Sequence, residues 1–149
     1  PDLSRLPAFL TPKPGLNSGL MIVQVAAASL ASENKSFAHP ASVDTIPTSA
    51  NQEDHVSMGV TAARKARMIC DNTTAVLAIE WLCAAQAREF NAQLRAGDGA
   101  HAIHALLRTR VAKLESDRYL YDDMRAAREL LESGALVEAA ERAVGALLA

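Results

Sequence analysis

An all-α fold is predicted by three features of the 149-residue chain. Alanine is the commonest residue with leucine next, aromatic residues make up only 4%, and apolar residues recur at i+3 and i+4 through most of the sequence. The β-branched and aromatic residues that favour strands are comparatively few, and no strand pair stands out. The length suits one domain, and half of the residues are apolar, so a real core is affordable.

Residues 1–16 contain Pro1, Pro7, Pro12 and Pro14. Each fixes φ and removes a backbone donor, so an extended or turning lead-in is expected. Asn17 or Ser18 can cap the element that follows. From Gly19 to Glu33 the sequence GLMIVQVAAASLASE has almost no polar face, which predicts a helix surrounded by other protein. Its most apolar part, Gly19 to Ala31, falls short of the roughly 20 residues that cross a bilayer.

Residues 39–54, HPASVDTIPTSANQED, hold two prolines and several turn formers, so an ordered loop is predicted there. A second helical tract is expected from about His55 to Leu94, with Asp54 as N-cap and Asp71, Asn72 and Thr73 marking a bend or a polar surface. RAGDGA, Arg95 to Ala100, ends it with two glycines. Residues 17–94 thus read as core helices around the loop 39–54, and residues 95–149 as three shorter amphipathic helices. Their stripes are Ile103, Leu106, Leu107, Val111 and Leu114, then Met124, Ala127, Leu130 and Leu131, then Val137, Ala140, Val144, Leu147 and Leu148, with Ser133 and Gly134 turning between the last two.

Fifteen basic against seventeen acidic residues argue against a nucleic-acid binder. No secretory signal is apparent at the start, so cytosol is the expected compartment and no membrane partner is expected. The chain begins at Pro1 and runs straight into apolar sequence, which reads as a piece of something longer. Cys70 and Cys83 are too far apart on one helix for a disulfide and are expected to be separate buried thiols. His101 and His104 could share a metal across one helix face, but no third ligand joins them, so solvated side chains and no metal are expected. Glu80 is either a buried acid or sits on the one wet stripe of its helix. No GxSxG, P-loop or GxGxxG occurs.

SANQEDHVSMG, Ser49 to Gly59, is the segment that does not read as generic. It crowds Asn51, Gln52, Glu53, Asp54 and His55 at a loop-to-helix junction, where unpaired N–H groups and the positive helix end would stabilise a carboxylate. Composition alone favours a simple cap by Asp54. TPKPGLNSGLM (Thr11–Met21), the run Ala31–Gly59 and DRYLYDDM (Asp117–Met124) resemble the C-terminal part of the histidine ammonia-lyases, within the aromatic amino acid lyase family.

That resemblance implies a helical homotetramer, an active site shared between subunits, and a methylidene-imidazolone (MIO) group made from an internal Ala-Ser-Gly. This chain has no Ala-Ser-Gly, so a partial site is implied, completed by an N-terminal portion that carries the group. Position by position, Glu53 matches the family's active-site glutamate and Ser49 a substrate-side position. In the phenylalanine and tyrosine lyases the position of Glu53 is typically Gln. The implied reaction is elimination of ammonia from L-histidine to give trans-urocanate, with Glu53 binding the substrate or moving a proton at the mouth of a long helix. Asn17 and Ser18 also match a family motif but read mainly as a cap. The alternatives are a non-catalytic helical assembly module, or a related tyrosine or phenylalanine lyase or aminomutase.

Overall fold

A computed structural model describes residues 3–147, and the described residues contain five α-helices and no strand. The helices are α1 (Met21–Phe37), α2 (Gly59–Glu89), α3 (Asp98–Arg108), α4 (Tyr121–Glu132) and α5 (Ala135–Val144). The chain divides into two units, one of residues up to Ala27 with those from Thr74 onward, the other Ala28–Thr73. The boundaries fall inside α1 and α2.

The first unit holds the core. Leu20 just ahead of α1 and Val23 within it join Ala78, Ile79, Trp81, Leu82 and Ala85 of α2, Leu107 of α3, and Ala126, Ala127 and Leu130 of α4. The expected stripes of α3 and α4 are thus the buried ones. Val111 and Leu114 are buried as well, but α3 has already ended at Arg108, so the stripe continues through irregular chain. Gln86 allows this. Its buried amide donates to the carbonyls of Leu10 (3.2 Å) and Leu114 (2.9 Å) and accepts from the Leu114 N–H (2.9 Å), replacing the backbone partners a helix would have given.

Gly134, at φ 79°, starts α5, which packs against α3 and α4. The expected stripe of α5 is corrected. Ala139 and Ala140 are buried, whereas Val137, Val144 and Leu147 are exposed, and Leu148 lies outside the described residues. Small side chains let α5 approach closely, with Leu136 packed against the core while Val137 and Val144 stay exposed.

One further expectation changes. Neither Asn17 nor Ser18 caps α1 through its side chain. Instead the Asp117 carboxylate takes the N–H groups of Ser18 (2.8 Å) and Gly19 (2.8 Å), just ahead of the helix. Within this chain the apolar helix is only partly covered, since Val23 alone is buried while Ile22 and Val25 are 61% and 52% exposed, which agrees with a helix that needs other protein around it. By length and composition α2 is apolar enough to cross a membrane. Its Trp81, Leu82 and Ala85 nevertheless belong to the core.

Candidate active site

The second unit, Ala28–Thr73, contains no buried residue. Its two helical segments are joined by polar contacts. Asn72 Nδ2 donates to Glu33 Oε2 (2.7 Å) and Asn34 Oδ1 (3.0 Å), and Asn34 Nδ2 donates to Thr73 Oγ1 (3.4 Å). Asn72 and Thr73 therefore make a polar surface without bending the helix. Closer to the loop, Lys65 Nζ donates to the carbonyl of His39.

Between these segments the chain folds back on itself in two nested closures. The outer one is Thr45, whose Oγ1 accepts the Val56 N–H (2.7 Å) and donates to the Val56 carbonyl (3.2 Å). The inner one is an isolated antiparallel bridge in which Thr48 and Glu53 exchange backbone hydrogen bonds of 3.0 and 3.3 Å. Inside it, Ser49, Ala50 and Asn51 adopt φ of 51°, 53° and 68°. Three consecutive left-handed residues without glycine cost of order 1–3 kcal/mol each, a strain typical of functional turns. Gln52 N–H donates back to the Ser49 carbonyl (3.1 Å).

The bridge brings Ser49 and Glu53 to adjoining positions on one exposed turn. The Glu53 carboxylate is solvent-exposed and has no hydrogen bond or ion pair among the described residues. One expectation is corrected here. Asp54 does not cap α2, which begins only at Gly59 after a left-handed Met58 (φ 51°). Glu53 is thus held by the bridge to Thr48, and the helix end is not its immediate neighbour in sequence.

The other singled-out residues fall elsewhere. Glu80 is exposed, on the wet side of α2. Cys70 is exposed rather than buried, and the half-buried Cys83 thiol is pushed up by burial and by the Glu80 charge, which keeps it protonated. Among the described residues, no three His, Cys, Asp or Glu are grouped to hold a metal.

The histidines are not simply solvated. His104 Nε2 lies 2.9 Å from Glu89 Oε1, which also accepts from Arg108 Nε at 2.9 Å, and the histidine and arginine side chains are each only 16% exposed. Burial pushes the Glu89 carboxyl up, but the hydrogen bonds from Arg108 and His104 outweigh it and hold it below the usual carboxylate value. His101 Nδ1 meets Arg88 Nη2 at 3.0 Å. Sequence reading missed these pairs because the partners lie on α2 and α3, with no periodic signal linking them.

Residues 1–109 match the family model described as aromatic amino acid lyase. Histidine ammonia-lyase of Symbiobacterium thermophilum is 59% identical over 147 residues, and that of Deinococcus radiodurans 57% over 143. These matches cover 99% and 96% of this chain but 29% and 27% of those proteins, so the chain spans under a third of its curated relatives. Among solved structures, histidine ammonia-lyase from Trypanosoma cruzi superposes with a TM-score of 0.91 at 45% identity, over 97% of this chain and 28% of that one. Tyrosine aminomutase from Streptomyces globisporus does so at 0.88 and 34%, over 97% and 27%.

Proposed function

The chain belongs to the aromatic amino acid lyase family, and from that premise we propose that it is the C-terminal portion of a histidine ammonia-lyase. The observation that carries this reading is that relatives named histidine ammonia-lyase align along nearly the whole chain at 57% and 59% identity, against 34% for the tyrosine aminomutase. The proposed reaction breaks the Cα–N bond of L-histidine and removes a β-proton, giving trans-urocanate and ammonia. It takes place in a cytosolic homotetramer.

The residues of this chain do not form the methylidene-imidazolone group that the family implies, since the sequence holds no Ala-Ser-Gly. That group belongs with the remaining portion of the lyase. This chain's contribution is the turn carrying Ser49 and Glu53. An ionised carboxylate is acceptor-only, so Glu53 can take a hydrogen bond from the imidazole or the ammonium group of histidine at about 2.6–3.2 Å. Either contact fixes the side chain relative to the bond that breaks, and positioning of this kind carries much of the barrier reduction.

The exposure of the second unit supports the same reading. Val43, Ile46 and Val60 stand exposed around the turn, as surfaces do that are covered by other protein. Ser49, small and polar, leaves room beside Glu53 for a five-membered ring.

The test is substrate choice by the full-length lyase that contains this segment. Urocanate from histidine is expected, with far slower turnover of tyrosine and phenylalanine. Preferred turnover of tyrosine, or a β-amino acid product, would move the chain to the aminomutase branch. No turnover of any aromatic amino acid by the complete, cofactor-bearing protein would leave only a scaffold.

A further inference from the structure

The turn bearing Glu53 is strained and thinly supported. Its inner closure is a single bridge of two backbone hydrogen bonds, and an isolated two-stranded pairing is marginal in water. The three left-handed residues within it add strain that this bridge resists poorly by itself. One side chain supplies the outer closure. The Thr45 hydroxyl engages both backbone groups of Val56, and Thr45 is itself steadied by Asp44, whose carboxylate accepts the Thr45 N–H at 2.8 Å.

From this geometry we infer that Thr45 is a positioning residue for Glu53, acting as a strap that keeps the turn in the one conformation that presents the carboxylate. The inference rests on the reading of Glu53 given above. A hydroxyl has one hydrogen and two lone pairs, so it serves the Val56 N–H and C=O at once, which valine of the same shape cannot do. Serine can, with more freedom about χ1. Without the strap the nearest closure left around the turn is the Thr48–Glu53 bridge, the Lys65–His39 contact lying farther out, and the carboxylate spreads over positions out of reach of substrate. Asp44 and Thr45 never touch the reacting atoms in this account.

The experiment is a double-mutant cycle in the full-length lyase, combining Thr45→Val, Thr45→Ser and Glu53→Gln, with histidine turnover read against pH and melting temperature followed alongside. Thr45→Val is expected to lower kcat/KM by about 10- to 100-fold, the scale of an ångström-sized misplacement. Thr45→Ser is expected to restore most of it. In the Glu53→Gln background, Thr45→Val should cost less than about twofold, because two residues that act as a unit are non-additive. An equal cost in both backgrounds would overturn the inference while leaving Glu53 in place, as would a Thr45→Ser variant as impaired as Thr45→Val. Normal turnover by Glu53→Gln alone would remove both Thr45 and the parent reading. Should Thr45→Val fold poorly, the serine variant and its pH profile still decide the matter.

Discussion

The carboxylate of Asp117 closes on the backbone N–H of Gly19 at 2.8 Å, across 98 residues of sequence. Its second oxygen takes the Ser18 N–H at the same distance. An acid ahead of α4 thereby fixes the turn that leads into α1, while the N–H groups of Leu20 and Met21 go to the carbonyls of Phe9 and Ser18. Gly19 is required where it sits, with φ 55° and a hypothetical Cβ falling 2.4 Å from the Phe9 carbonyl oxygen.

Replacing Asp117 with Ala strips both donors of a charge-assisted partner. A loss of about 1–3 kcal/mol is expected, read as a lower denaturation midpoint at unchanged slope. Asp117→Asn should recover part of it, since an amide oxygen still accepts. Gly19→Ala, strained by both φ and contact, should destabilise by at least about 2 kcal/mol. A Gly19→Ala protein as stable as its parent would contradict this arrangement.

Glu89 gives the first unit a pH dependence with a definite sign. Its carboxyl is held below the usual value in the folded chain, so the stability it contributes is fully present above about pH 4.3, the unfolded value. It is lost as pH falls through the lower folded value. Glu89→Gln should therefore be the less stable protein at neutral pH, with the gap to wild type narrowing below pH ~4. Melting curves across pH 3–7 check this, and a gap that widens in acid would reverse the assignment.

The uncovered side of α1 should make the chain associate when it is expressed without the rest of the lyase. Ile22 and Val25 stand exposed together with Leu16, Tyr119 and Tyr121, all in the first unit. Sedimentation of the isolated chain is expected to show concentration-dependent association, and Ile22→Asp with Val25→Asp to reduce it. A chain that stays monomeric at all concentrations would show that this face needs no cover.

The helices were legible because burial on one face leaves a periodic mark, as at Leu107, Ala127 and Leu130. The same mark misleads at Val111 and Leu114, where spacing persists after the helix has stopped and Gln86 supplies the hydrogen bonds instead. The start of α2 was misread for a related reason. Asp54 is chemically sufficient as a cap, but the boundary is set by the left-handed Met58 and by Thr45 reaching Val56 eleven residues on. Local capping rules do not see such ties.

Glu53 stood out by residue type and by resemblance and Ser49 by resemblance alone, whereas the backbone that presents them did not. Asn51 is of a type that tolerates positive φ, but serine and alanine carry no such preference, so SAN does not announce three left-handed residues in a row. The partnership of His104 with Glu89 was equally silent, being a contact between helices.

Glu53 is proposed to act on the substrate within a completed lyase site. Substituting Glu53→Gln in the full-length enzyme and measuring urocanate formation from histidine tests it most directly. A fall in kcat of about a hundredfold or more is predicted, with the melting temperature unchanged because the exposed carboxylate makes no bond among the described residues. Turnover within about twofold of wild type, a change worth only some 0.4 kcal/mol in the barrier, would contradict it.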